Sequence, residues 1–218
     1  MITPSLSLEH ELIAQGFQVI VAVDEVGRGA IAGPVSVGAG IWRPQLGEGP
    51  ASVRDSKLVP ERKRPQLANL AEDWLEAVSV GHCDAQTIDR DGIQTALAIA
   101  GASAVGSLIE GLGHTDGVVV VLDGRHNWLS TKIPQEIPVV TREKADRDCQ
   151  SVAGVSLVAK VARDALMIQA DSRWPEYGFA GHKGYASKAH LAAIAQRGPC
   201  EIHRLTWLRP TELSFEGE

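Results

Sequence analysis

The sequence predicts an α/β fold in which a mixed sheet carries helices on both faces. Three features lead there. Residues 19–23 and 118–122 are uninterrupted apolar, largely β-branched runs, the pattern of strands buried on both sides, and each ends in an acid. After Gly33 and Pro34, Val35, Val37, Ala39 and Ile41 alternate with Ser36, Gly38 and Gly40, which reads as a strand returning antiparallel to the first. Residues 93–112 are rich in Ala, Leu and Ile with small residues throughout, as in a long helix packed closely on a sheet.

In chain order, residues 6–15 read as a short opening helix before the first strand. The second strand leads into a Pro/Gly-rich loop at 44–50, with Asp55 as a turn residue further on. Pro60 to Arg64 precede a helix whose buried stripe is Leu67, Leu70, Trp74 and Leu75. Ala77, Val78 and Val80 form a third strand ending near Cys83, and Asp84 caps a helical turn through Ile88. The long helix at 93–112 stops at Gly111 and Gly113. After the strand that ends in Asp123, residues 137–141 are a further β-prone run. Lys144-Ala145-Asp146-Arg147-Asp148 then leads into a helix over 151–170, with Asp146 at its N-terminal approach and Asp148 as a helix N-terminal charge. Asp164 reads as an ion-pair partner of Lys160 or Arg163. One domain is expected over 1–218: a core to about 170 and a C-terminal helical extension over about 171–218.

Cys83, Cys149 and Cys200 lie far apart with no C-x-x-C spacing, which disfavours a disulfide framework and a zinc site and points to a reducing cytoplasm. The first twelve residues carry no basic segment or long apolar run, and no run of consecutive apolar residues is long enough to cross a bilayer. A soluble protein without a membrane partner is expected. The net charge of -6 argues against a nucleic-acid partner, but its distribution does not. Between Arg173 and Arg209, six basic residues face Glu176 and Glu201, and residues 54–64 hold a second basic cluster.

The chemistry concentrates where the core strands end. Asp24 and Glu25 follow the first strand directly, and burying a carboxylate without a partner costs several kcal/mol, so the pair should reach solvent or hold a cation. Gly27 and Gly29 flank Arg28 and let the backbone approach a ligand closely, which suits a phosphate-bearing substrate beside a metal. Residues 27–32 also fit a dinucleotide fingerprint, but that motif needs a helix to begin there, and Gly33, Pro34 and the second strand exclude one. Asp123 ends the other core strand and meets Asp24 if the two strands are neighbours. His126, His182 and His203 lack metal-ligand spacing and read as hydrogen-bonded structural histidines.

Val23-Asp24-Glu25-Val26-Gly27-Arg28-Gly29 with Ala32-Gly33-Pro34-Val35 resembles the opening motif of ribonuclease HII, the type 2 ribonuclease H family, in its bacterial form. The resemblance continues through Asp55-Ser56-Lys57, Leu122-Asp123-Gly124, Lys144-Ala145-Asp146, Ser156-Leu157-Val158-Ala159-Lys160-Val161-Ala162-Arg163-Asp164, Tyr177-Gly178-Phe179, His182-Lys183-Gly184-Tyr185 and Ile202-His203-Arg204. It implies a ribonuclease H-like five-stranded mixed sheet with a substrate-binding C-terminal extension. It implies a monomeric endonuclease that cuts the RNA strand of RNA–DNA hybrids and incises 5′ of ribonucleotides embedded in duplex DNA, leaving 5′-phosphate and 3′-hydroxyl ends, in ribonucleotide removal. The family's metal-binding acids fall on Asp24, Glu25, Asp123 and Asp146, and hard oxygen ligands of this kind select two Mg²⁺ or Mn²⁺ ions. Gly27, Arg28 and Gly29 would meet the ribose 2′-OH and Tyr185 the neighbouring sugar. Lys57, Lys160 and Lys183 are phosphate contacts or merely surface lysines. Two departures stand out: many relatives have Gly at position 145 and Ala-Ala-Ser-Ile at 154–157. Ala145 weakens the case for a left-handed turn before Asp146. The rival readings are a type 3 ribonuclease H, which about 17 residues before the first strand leave no room for, a junction resolvase, and a nucleic-acid-binding protein without catalysis.

Overall fold

The computed structural model describes residues 3–53 and 59–209. Asp55 and Lys57 lie outside the described residues. The strands are β1 (Val19–Val26), β2 (Val35–Trp42), β3 (Ala77–Cys83), β4 (Val118–Asp123) and β5 (Val139–Arg142). Among the described residues the α-helices are α1 (Ser7–Ala14), α2 (Arg64–Trp74), α3 (Ala85–Asp91), α4 (Ile93–Leu112), α5 (Ala145–Asp148), α6 (Gln150–Arg173), α7 (Phe179–His182) and α8 (Lys188–Arg197). The strands form one sheet in the order β3-β2-β1-β4-β5. β1, β2 and β3 pair antiparallel, whereas β4 joins β1 and β5 joins β4 in parallel, so the sheet is mixed as expected.

The period of two along the strands sorts side chains between the covering helices. Val19, Val21 and Val23 of β1, with Val120 and Leu122 of β4, pack with Ala96, Leu97 and Ala104 of α4. Ile20, Ala22 and Trp42 turn the other way, to Leu6, Leu12, Val152 and Val155 from α1 and α6. β2 shows why its alternation uses glycine. A Cβ at Gly38 would stand 2.8 Å from Val155 Cγ1, and one at Gly40 2.7 Å from Val155 Cγ2, so the missing side chains let α6 lie close to the sheet.

Several elements differ from the expected ones, each for a physical reason. β1 runs on through Asp24 and Glu25, so the acids stand within the strand rather than after it. Of the expected stripe after Pro60, Leu75 is buried and Leu67 and Trp74 pack on the core, but Leu70 is 37% exposed, and Ala68 and Ala71 are buried instead, because α2 packs closely against α6 at Gly154 and small residues make the contact. β5 begins at Val139, since Pro138 has no N–H for the ladder. The left-handed residue before Asp146 is Lys144, at φ 61°, so Ala145 carries no burden there. α4 is by length and mean hydropathy apolar enough to span a bilayer, though polar residues interrupt its apolar run as expected, and Ala96, Leu97, Ala100 and Ala104 bury its inner side on the sheet. Glu9, fully buried, accepts from the Ser151 amide at 3.0 Å and its hydroxyl at 2.6 Å, tying α1 to the start of α6.

The C-terminal extension is helical as expected. α7, α8 and two 3-10 turns pack Tyr177, Phe179, Ile194 and Leu208 on Ile31, Ala32 and Met167. Its basic character is partly consumed internally: Lys183 and Arg204 are buried, and Arg173 pairs with Glu201 at 3.0 Å.

Candidate active site

Parallel pairing of Val23 with Leu122 brings the next residues, Asp24 and Asp123, side by side at the ends of β1 and β4. Both follow the parity of Ile20, Ala22, Val119 and Val121, so both face α6. From α6, Ser156 donates a hydrogen bond to Asp24. Asp123 Oδ1 accepts from the Ala145 amide at 2.6 Å and the Asp146 amide at 3.4 Å, which ties α5 to the strand end. Asp146 is buried and close enough to act on the charge of Asp24. The four predicted acids therefore lie in one neighbourhood, the other three each acting on the charge of Asp24, with Asp24, Glu25 and Asp123 lining one cleft.

Their electrostatics are unfavourable as they stand. Burial first, then the charges of Asp123 and Glu25, hold the Asp24 carboxyl well above the usual carboxylate range. Burial also raises Glu25, against the pull of Arg28, whose Nη1 lies 3.2 Å from Glu25 Oε1. Glu25 Oε2 is buried with no hydrogen-bond partner. A buried oxygen lacking a donor, among acids that repel one another, fits a divalent cation held by oxygen ligands. Among the described residues, no three acidic, His or Cys side chains already converge as a finished cage. Glu25 turns to Arg28, and Asp123 to the α5 amides.

The acids open into a cleft of about 250 Å³ lined by Asp24, Glu25, Asp123, Ser156, Lys160, Tyr185 and residues 26–29. Tyr185 is 40% exposed and stands over Arg163, 5.7 Å from guanidinium carbon to ring centroid; the buried tyrosine is Tyr177. Gly27 sits at φ +83°, where a Cβ would fall 1.8 Å from Arg163 Nε, whereas a Cβ at Gly29 would meet nothing within 4 Å. Gly27 is thus required by the fold, and Gly29 leaves the cleft open. Among the described residues, no hydrogen bond occupies the amides of Arg28 and Gly29. Lys160 lines the cleft paired with Asp164, as expected. Lys183 is not brought to it: its ammonium is buried and bonded to Glu61 at 2.8 Å and to the Ala180 carbonyl. Asp148 pairs with Arg147 at 2.6 Å, His182 and His203 are hydrogen-bonded inside the extension, and His126 is exposed.

Three residues escaped the sequence reading: Ser156, Arg163 and Arg204. Ser156 and Lys160 are two polar residues four apart in an apolar stretch of helix, a spacing that puts them on one face and was the available signal. Arg163 and Arg204 are fully buried. Arg204 donates to the carbonyls of Arg28 and Gly27, each at 2.8 Å, and of Gly33, while Arg163 donates to those of Pro34, Lys183 and Ala32. Two guanidinium forks thus hold the loop that follows β1 from behind.

The sequence family description that matches residues 21–210 is Ribonuclease HII. The chain belongs to the ribonuclease HII family. A ribonuclease HII of Geobacter metallireducens is 43% identical over 201 residues, 92% of this chain and 89% of that protein. One from Streptomyces avermitilis is 38% identical over 208 residues, 94% of this chain and 83% of that protein. The fold is shared with the ribonuclease HII solved in complex with PCNA from Archaeoglobus fulgidus, at TM-score 0.64 and 23% identity over 88% of this chain and 96% of that one. It is also shared with Bst-RNase HIII solved with Mn²⁺, at TM-score 0.62 and 20% identity over 89% of this chain and 67% of that one. As a member of the ribonuclease HII family the protein is a divalent-metal-dependent endoribonuclease, a phosphodiester hydrolase that acts on RNA–DNA hybrids.

Proposed function

We propose that the cleft hydrolyses the phosphodiester on the 5′ side of a ribonucleotide, in hybrids and at single ribonucleotides embedded in duplex DNA, with two Mg²⁺ or Mn²⁺ ions held by Asp24, Glu25, Asp123 and Asp146. The observation that carries this reading is the buried, unpartnered Glu25 Oε2 beside an Asp24 whose proton affinity its neighbours raise. When bound, such ions supply an activated water and charge stabilisation at the leaving 3′ oxygen. The chain's own residues do the rest. Arg28 holds Glu25 in place, and Ser156 and the Glu25 amide, 2.8 Å from Asp24 Oδ1, orient Asp24.

Selection of a ribonucleotide falls to the backbone of residues 27–29. Arg204 ties down the carbonyls of Gly27 and Arg28, and the amides of Arg28 and Gly29 at the cleft suit a 2′-OH in any base context. Tyr185 and Lys160 line the same cleft, which supports reading Tyr185 as the contact to the next sugar and Lys160 as a phosphate contact. Lys183, bound to Glu61, supports α7 rather than the substrate. All of these groups come from one chain, which suits action as a monomer in ribonucleotide removal. The test is incubation with duplex DNA carrying one ribonucleotide, beside an all-DNA duplex and an EDTA control. Metal-dependent cutting 5′ of the ribonucleotide alone, leaving 5′-phosphate and 3′-hydroxyl ends, is expected; no cutting there rejects the assignment.

A further inference from the structure

Behind the cleft, the C-terminal extension holds three histidines that the proposed chemistry does not use. His190 on α8 and His203 are buried, and His182 stacks on His190 with ring centroids 4.2 Å apart. Tyr177 and Phe179 pack edge-on around them.

Hydrogen-bond partners fix the tautomers. A backbone carbonyl only accepts, so His190 Nδ1, 2.9 Å from the Tyr185 carbonyl oxygen, carries a proton. In the neutral ring its Nε2 is then an acceptor. The atom facing it at 3.0 Å is His203 Nε2, which must donate. His203 Nδ1 agrees: it accepts from the Cys200 amide at 2.9 Å, the nearer of that residue's two backbone groups, whose carbonyl stands at 3.3 Å. The links therefore run one way, from the Cys200 amide through His203 and His190 to the carbonyl of Tyr185. Burial pushes both rings down to about 4, which keeps them neutral near pH 7. His182 braces the same turn separately, accepting from the Gly184 amide at 3.1 Å and donating to the Tyr177 carbonyl at 2.8 Å.

The hydrogen-bond chain ends at Tyr185, which lines the cleft. Besides His190, Tyr185 is held by its amide, which donates to the His182 carbonyl at 3.0 Å, by the Ser187 amide, which donates to the same Tyr185 carbonyl at 2.8 Å, and by the Arg163 guanidinium 5.7 Å from its partly exposed ring. Gly184 before it is seated on the loop after β1, its carbonyl accepting from the amides of Ile31 and Ala32. We propose that His190 and His203 are positioning residues for Tyr185, a directional hydrogen-bond chain that sets where the ring stands over the cleft and so how sharply an isolated ribonucleotide is favoured. This rests on the reading of Tyr185 as the sugar contact.

The test compares cleavage rates on a duplex with one embedded ribonucleotide and on a long RNA–DNA hybrid. His190→Phe keeps a ring of similar size and removes both nitrogens. It should lower the ratio of the two rates about two- to tenfold, the scale of one lost hydrogen bond, and leave the hybrid rate within about twofold. His190→Asn, whose amide nitrogen falls near the place of Nδ1, should recover most of the ratio. In the double variant with Tyr185→Ala the loss should equal that of Tyr185→Ala alone, because nothing remains to position. Additive losses, or an unchanged ratio in His190→Phe where Tyr185→Ala lowers it, overturn the positioning role. An unchanged ratio in Tyr185→Ala refutes instead the sugar contact on which it rests. A measurement on the wild-type protein needs no variant to fold: imidazole nitrogen NMR shifts should show His190 protonated at Nδ1 and His203 at Nε2, and the reverse assignment overturns the chain.

Discussion

Replacing Asp24 by Asn should stabilise the metal-free protein while ending cleavage. Asp24 is 5% exposed, and its carboxyl is raised by burial, by Asp123 and Glu25, and more weakly by Asp146. Neighbouring strands lie about 4.8 Å apart, which sets the scale of the separation between Asp24 and Asp123. Two unit charges about 5 Å apart at an effective dielectric of about 20 repel by about 3 kcal/mol. Asp24 escapes part of this by taking up a proton, so about 1–2 kcal/mol is left for the neutral amide to relieve. In a domain of this size about 1 kcal/mol shifts Tm by about 2–4 °C, giving an expected rise of about 2–8 °C. Asn loses little locally, since its Oδ1 can still accept from the Glu25 amide at 2.8 Å. The assay is thermal unfolding in EDTA and then in saturating Mg²⁺ or Mn²⁺, with nicking of a ribonucleotide-containing duplex in parallel. Added metal should raise the wild-type Tm more than that of the variant, because the wild type has more charge to neutralise. A variant less stable than wild type in EDTA, or one that nicks at near wild-type rates, refutes the reasoning.

The other predictions concern the loop, the rim and pH. Gly27→Ala should cost several kcal/mol, since it combines a positive φ with a clash on buried Arg163, whereas Gly29→Ala should melt within about 0.5 kcal/mol of wild type; equal melting would contradict the division. Tyr185→Ala should depress nicking at a single ribonucleotide about ten- to hundredfold more than cleavage within a run of several, with Tyr185→Phe nearly intact. A large fall in Tm instead would mean that Tyr185 serves the core. His190 and His203 titrate at about 4 in the fold against about 6.5 unfolded, so the unfolded chain binds more protons between these values. Their contribution is complete above about pH 6.5 and is lost as pH falls through about 4. Asp24, Glu25 and Glu9, all raised in the fold, act in the opposite sense, so the test compares pH profiles of Tm in Asp24→Asn with and without His190→Phe: Tm should fall more steeply over that interval where His190 is present, and identical profiles count against the neutral pair.

The sequence by itself determined the fold class, because periodicity is a local property: unbroken apolar runs made β1 and β4 buried strands, and a length of small apolar residues made α4. It also marked the acids that follow the apolar runs, since a carboxylate there needs a cation or water, although β1 continues past Asp24 and Glu25 and only Asp123 ends its strand. What it left open was depth and direction. The parallel pairing of β1 with β4, which sets Asp24 beside Asp123 on the α6 face, depends on a contact between residues about 100 positions apart. Lys183 and Arg204 read as part of a basic surface, yet both turn inward, one to Glu61 and the other to three loop carbonyls. Charge in a sequence does not say which side of a helix or turn will be covered. The same holds for Gly27 and Gly29, which look equivalent in the chain. Only packing decides that one must be glycine, because buried Arg163 occupies the space behind it, while the other faces the open cleft.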